Sequence, residues 1–149
     1  MVQSVTVKLK KLNANAVIPT YGTEFSAGAD LYACTDESVT VPAGATVKIK
    51  TGIAIELPEG YAGLVYARSG LATKRGLAPA NKVGVIDSDY RGEIMVMLHN
   101  HSDKDEIIES AERIAQLIIT PYVKGIFETS DSLSDTVRGE GGFGSTGRQ

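Results

Sequence analysis

Apolar and polar side chains alternate in short runs along most of the chain: Val5, Val7 and Leu9; Val47 and Ile49; Ile53, Ile55 and Leu57; Ile94, Val96 and Leu98. A period of two puts every second side chain on one face of an extended strand, and Gly, Pro, Asn or Asp clusters separate the runs. Pro42-Ala43-Gly44 and Pro58-Glu59-Gly60 mark reversal points, because proline presets φ and glycine accepts a positive φ. This cadence predicts an all-β fold, a jelly-roll-like sandwich or barrel, with one short helical turn near Ser69 to Arg75.

Two stretches depart from simple alternation. Ile107, Ala111, Ile114 and Ile118 match helical spacing, and Ser102 to Asp105 resembles a capping box. Against a helix, Ala115, Leu117 and Ile119 alternate with Ile114, Gln116 and Ile118, and Pro121 follows directly. That suits a strand buried on both faces, so the expected order is strand, turn, strand. The run EIMVML at 93–98 is also apolar on both parities, more than a one-sided sheet needs; burial in a subunit interface would explain it.

A chain of 149 residues is the size of one ordinary domain and can bury a real core. Its net charge of -3 argues against holding nucleic acid by neutralising a row of phosphates. Cys34 is the only cysteine, which excludes an intrachain disulfide and multi-cysteine zinc patterns and fits a reducing compartment. The N-terminus lacks the apolar run of a secretory signal and no stretch is long enough to span a bilayer, so a soluble, cytoplasmic protein is expected. Residues 1–137 read as one β domain. Residues 138–149 form a glycine-rich arm that cannot pack a core; composition fits either a disordered tail or a lid ordered by ligand.

Candidate chemistry gathers in three segments. GVIDSDYRGE at 84–93 predicts a hairpin with Asp87, Asp89 and Tyr90 at its tip. Its aspartates could serve the turn, by bonding nearby backbone, or serve catalysis. Arg68-Ser69-Gly70 offers a guanidinium for paired oxygens, a hydroxyl and a glycine that lets backbone N–H groups approach, the parts of a phosphate cradle; a lone RSG is more often an ordinary turn with a surface arginine, and only its context favours the cradle. The segment 139–146 imitates a Walker loop but has neither its lysine nor room for a following helix, and is rejected. His99 and His101 would share one strand face, with no third metal ligand apparent. Lys74 and Arg75 read as solvated surface, and Tyr21, Tyr32, Tyr61, Tyr66 and Tyr122 as core or interface packing.

Taken together, AGADLYA at 27–33, ARSGLA at 67–72, NKVGVIDSDYRG at 81–92, RIAQL at 113–117 and RGEGGFGSTG at 138–147 resemble the five motifs of the homotrimeric dUTPases over nearly the whole chain. One small departure is Ala111-Glu112, where family members usually show Gly-Asp. The resemblance implies a jelly-roll subunit and a threefold trimer whose sites are assembled from three chains. The first, second and fourth motifs would come from one subunit, the third from a neighbour and the tail from the last. Arg68, Ser69, Gly70 and Gln116 would bind phosphates, with Asp30 supporting them from behind. Asn81, the backbone of Val85, Ile86 and Asp87, and Met95 would hold uracil; Tyr90 would pack under the deoxyribose. Asp87 would touch the sugar 3′-hydroxyl and orient the attacking water. From the arm, Arg138 would reach the phosphates, Phe143 would stack on the base, and Gly144, Ser145 and Thr146 would close over the triphosphate. Magnesium would complete the phosphate cage with no direct protein ligand.

The implied reaction is dUTP and water giving dUMP and pyrophosphate. A dCTP deaminase on the same fold is the nearest rival, disfavoured by the full glycine-rich fifth motif and by Asp87 with Tyr90. A non-catalytic trimeric module that senses nucleotides or binds a protein is the rival from another class.

Overall fold

Turn residues cut the chain into short strands largely where the alternation places them. The computed structural model describes residues 3–142. Its elements are β1 (Lys8–Lys11), β2 (Thr20–Tyr21), β3 (Ala29–Tyr32), β4 (Val39–Val41), β5 (Thr46–Lys50), β6 (Ile53–Glu56), β7 (Tyr61–Tyr66), α1 (Ser69–Arg75), β8 (Leu77–Pro79), β9 (Gly84–Ile86), β10 (Met95–Asn100), β11 (Glu106–Ile108) and β12 (Arg113–Pro121). Gly44 and Gly60 both take positive φ. The bonds from Ala45 N to Pro42 O at 3.0 Å and from Tyr61 N to Pro58 O at 3.2 Å close the two expected turns. At the N-terminus the strand begins only at Lys8, so Val5 and Val7 are half-buried outside it.

The largest sheet runs β2-β3-β12-β7-β9, and a second runs β5-β10-β8; β1 pairs with β6 and β4 with β11. Leu31, Val41, Ile49, Ile53, Leu77, Leu98, Ile108 and Ile114 are essentially inaccessible to solvent and bind these layers into one core. Strand, turn, strand is what residues 106–121 form. A helix loses there because its stripe is the wrong one: Ile107 is 51% exposed while Ile108, Ile114, Ala115 and Leu117 are buried. Buried Asn100 ties the corner together, its amide donating to Val41 O and Lys104 O while its carbonyl accepts from Ser102.

Ala111, in the turn between β11 and β12, has φ of 60°, a left-handed conformation that costs an L-residue roughly 1–2 kcal/mol. Glycine adopts it freely but gives up some of that gain to its more disordered unfolded chain. Ala111→Gly is therefore expected to stabilise the protein by about 0.5 kcal/mol. The measure is a higher urea midpoint at unchanged m value and fixed protein concentration; an unmoved or lower midpoint would remove the strain argument.

The segment 87–94 is not a hairpin tip. Strand β9 pairs with β7, whereas β10 pairs with β5 and β8, so the loop crosses from one sheet to another. Its far end is fastened to the turn between β5 and β6. Ile94 N donates to Ile53 O at 2.9 Å, Thr51 Oγ1 donates to Ile94 O at 2.5 Å, and the Glu93 carboxylate accepts from Gly52 N at 2.9 Å. These bonds satisfy the backbone where hairpin pairing would otherwise be needed.

Candidate active site

The candidate residues fall into two clefts of the same chain. The first, about 390 Å³, lies where β3, β12 and the start of α1 meet, and it is lined by Ser26, Gly28, Asp30, Arg68, Ser69, Gly70, Arg113 and Gln116 among others. Asp30 and Gln116 are register partners across β3 and β12. Arg68 Nε donates to Asp30 Oδ1 at 2.7 Å, which fixes the guanidinium at the mouth of the helix. Gln116 Nε2 donates to Ala67 O at 2.8 Å, and its side chain crosses Gly28, where a Cβ would stand 3.1 Å from Gln116 Cδ. A glycine in AGADLYA thus makes room for the glutamine of RIAQL. Ser69 and Gly70 are exposed in the first turn of α1, and a Cβ on Gly70 would meet open space. Cations, a hydroxyl and an amide facing one concavity can hold an anion with several oxygens.

At its other end α1 is locked down. Arg75, expected as solvated surface, instead donates from Nε to Glu106 at 2.5 Å and from its other nitrogens to Glu112 and to Ile107 O. Burial disfavours its cation, but the bonds to Glu106 and Glu112 outweigh that and push its pKa up.

The second cleft, about 280 Å³, is lined by Asn81, Gly84, Val85, Ile86, Asp87, Tyr90 and Met95, together with Lys48 and Met97. Strand β9 is the edge of its sheet, so part of its backbone N–H and C=O groups point away from β7 and into this space. Asn81 sits in the turn before β9, packed 3.3 Å from where a Gly84 Cβ would be. Tyr90 N donates to Asp87 O at 3.1 Å, closing a turn that sets the carboxylate and the ring at its two ends. The ring folds back over Gly92, with the hydroxyl donating to Glu93 O at 3.0 Å; a Cβ on Gly92 would come within 2.6 Å of Tyr90 Cζ. Val85, Tyr90, Met95 and Met97 are 64%, 42%, 40% and 42% exposed, an uncovered apolar face beside the carboxylate.

Within one chain the two clefts are far apart. Ile86 lies opposite Gly63 on β7, so Asp87 stands level with Ala62, while Arg68 follows the other end of that strand. The stretch from Ala62 to Arg68 spans about 20 Å at about 3.3 Å per residue.

Arg138 lines neither cleft; its Nε donates to Gly141 O at 2.7 Å within its own turn. Phe143, Gly144, Ser145 and Thr146 lie outside the described residues. Residues 121–140 are exposed throughout, including Val123, Ile126, Phe127 and Leu133 at 89–98%. Of the five tyrosines expected to pack, Tyr21 and Tyr122 are exposed and Tyr32, Tyr61 and Tyr66 half-buried, so none belongs to the core of this chain. His99 and His101 stack edge to face at 4.4 Å, and His99 Nδ1 bonds Thr46 Oγ1 at 2.9 Å. Partial desolvation, then His99 and Lys82, push the His101 pKa down. Among the described residues no three His, Cys, Asp or Glu side chains are grouped to hold a metal. Cys34 is buried, and burial, Glu93 and Asp36 push its thiol pKa up, as befits an inert core residue.

A chiefly β chain with a cationic cleft on one flank and a partly apolar cleft beside a carboxylate on another has the parts of a site for a ligand that joins an anionic group to an apolar one. The dUTPase family model matches residues 14–147, and the chain belongs to the dUTPase family. It is 52% identical over 142 residues to the deoxyuridine 5'-triphosphate nucleotidohydrolase of Rickettsia massiliae, covering 95% of this chain and 96% of that one. The Syntrophotalea carbinolica protein of the same name is 45% identical over 145 residues, covering 97% and 99%. Among solved structures, a mutant of the Staphylococcus bacteriophage 80alpha dUTPase with dUpNHpp superposes at a TM-score of 0.89 with 29% identity, over 97% of this chain and 100% of that one. The jelly-roll-like fold class expected from the alternation is that of this family.

Proposed function

We propose that this protein hydrolyses dUTP to dUMP and pyrophosphate by water attack on the α-phosphorus, at sites shared among three copies of the chain. Such an enzyme supplies dUMP for dTMP synthesis and keeps uracil out of DNA. The observation that carries the shared site is the placement of Asp87 and Arg68 beyond opposite ends of the β7–β9 pairing, about 20 Å apart along the strand at the rise of an extended chain. A carboxylate that orients water must stand within about 3 Å of it, beside the phosphorus that the arginine neutralises. One chain cannot bring these groups together, whereas a neighbour docking its β9 edge against the first cleft can. The exposed Met95 and Met97 face and the bare apolar segment 122–137 favour the same assembly.

A triphosphate repels an incoming oxygen nucleophile, so cations must neutralise it and hold it in line. Arg68 does this with its guanidinium pre-aligned by Asp30, and Ser69, Gly70 and Gln116 add hydrogen bonds along the chain. In this reading Arg138 joins them from a neighbour's arm, while Phe143 stacks on the base and Gly144, Ser145 and Thr146 cover the phosphates. Magnesium fits as a companion of the substrate: Asp30 is committed to Arg68 and Arg113, so phosphate oxygens and water would be its ligands, and it would supply charge neutralisation.

Uracil presents an N3–H donor between two carbonyl acceptors, while cytosine offers the reverse at two of those positions. The fixed backbone of Val85, Ile86 and Asp87 can enforce that difference, whereas the Asn81 amide alone could flip to suit either base. Met95 bounds the same cleft. Thymine differs by one methyl, so its exclusion is steric. The single cysteine, kept inert in the core, suits a cytoplasmic enzyme, or one also present in the nucleus if the source is eukaryotic. Among the described residues no helix is long and apolar enough to cross a membrane.

Pyrophosphate release measured across dUTP, dCTP, dTTP and UTP tests the reading: dUTP alone should turn over efficiently. Ammonia released from dCTP would establish the deaminase instead, and binding without turnover a sensor module. The same assay checks Tyr90. Its ring, held by the bond to Glu93 O, fills the space a ribose 2′-hydroxyl would need. Tyr90→Ala is expected to raise UTP hydrolysis relative to dUTP by about 10-fold or more; an unaltered ratio would remove the steric role.

A further inference from the structure

We infer that Arg113 is a second guanidinium ligand for the substrate's phosphate chain, brought into the cationic cleft by a β-bulge. The inference rests on the dUTP-hydrolysing reading of that cleft. Arg113 and Gln116 are three positions apart, so on a regular strand they would point to opposite faces. The register of β12 against β3 shifts between Arg113 and Ala115. Arg113 therefore lies opposite Tyr32, two residues from Asp30 and on the same face, while Ile114 and Ala115 are buried in succession. A bulge of this kind re-aims one side chain without disturbing the rest of the ladder. Here it turns Arg113 toward Asp30 and the cleft that Gln116 and Arg68 already line.

The Asp30 carboxylate divides itself between the two cations. Its Oδ1 takes the 2.7 Å bond from Arg68, and its Oδ2 takes a longer bond, 3.3 Å, from Arg113 NH1. The Arg113 side chain is 53% exposed against 25% for Arg68. Arg68 is thus fixed and Arg113 loosely tethered. No other side-chain hydrogen bond ties Arg113 among the described residues, which leaves most of its five donors for an incoming anion. A pair this long and this exposed contributes little to stability, so the Arg113 guanidinium gives up little when it turns to an anion. A tethered, half-exposed guanidinium at the rim of a cationic cleft can bind paired phosphate oxygens and keep its hold on Asp30.

The test compares a non-hydrolysable imido analogue of dUTP with dUMP by calorimetry at one ionic strength, for the wild type, Arg113→Gln and Arg113→Lys. Arg113→Gln is expected to weaken the analogue by about 10-fold or more while moving dUMP by less than about 3-fold, with Arg113→Lys in between. Analogue binding within about twofold of wild type, or an equal loss for dUMP, would overturn the inference. Should Arg113→Gln fail to fold, Arg113→Lys decides alone: selective loss of the analogue supports the role and unchanged affinity removes it. A wild-type protein that binds neither nucleotide would sink the underlying reading as well.

Discussion

Asp87→Asn is expected to lower dUTP turnover by about 10²-fold or more while leaving dUTP affinity nearly unchanged. The carboxylate is exposed and accepts no side-chain hydrogen bond among the described residues, so the amide replaces it without breaking the fold. What changes is the water. An aspartate is too weak a base to deprotonate water in the ground state, but phosphoryl transfer through a loose transition state needs the nucleophile oriented first and its proton removed late. A neutral amide can still accept one hydrogen bond from water; it cannot receive the proton or stabilise the charge that develops on the attacking oxygen. Equilibrium binding of the imido analogue together with single-turnover hydrolysis separates the two effects. Turnover at the wild-type rate would take Asp87 out of the mechanism, and loss of binding would make it a substrate ligand first.

The features legible in the chain were those fixed over a few residues. Proline and glycine placed the turns at 42–44 and 58–60, and the short apolar-and-small run after Arg68 gave the helix Ser69–Arg75. The alternation at 114–119, closed by Pro121, separated a strand from a helix, although burial on both faces holds only near Ile114 and Ala115, and Gln116, Ile118 and Ile119 are half-buried. Pairing partners are set by contacts distant in sequence, and there the reading failed. Asp87 and Tyr90 sit on a crossover between sheets because Thr51 and Ile53 take up the backbone of Ile94 while Gly52 N holds the Glu93 carboxylate, and nothing near residue 90 announces that. Arg75 met two carboxylates from the β11 to β12 region only after folding. Arg113 was hidden by a bulge, since spacing alone sets it on the face opposite Gln116. The motif residues themselves were legible, and their division into two clefts was implied only by the family resemblance, since no local spacing sets the third motif apart from the first, second and fourth.

That division leads to an expected result that no single-chain site can produce. Asp87→Asn and Arg68→Ala proteins should each be nearly inactive alone, and equal mixing of their unfolded chains followed by refolding should restore about a quarter of wild-type activity. In a threefold ring, each site would take Arg68 from one subunit and Asp87 from the next. A site is whole only when the first subunit carries Asp87→Asn, and so keeps Arg68, and the second carries Arg68→Ala, and so keeps Asp87. Random assembly meets both conditions at about one site in four. Arg68→Ala also leaves Asp30 with only the longer bond from Arg113, so its binding loss should be severe and its background low. Wild-type chains put through the same refolding set the scale. If the mixture stays as inactive as its parents while that control recovers, both groups belong to one chain and the shared site is wrong; about a quarter recovered places the attacking water between two subunits.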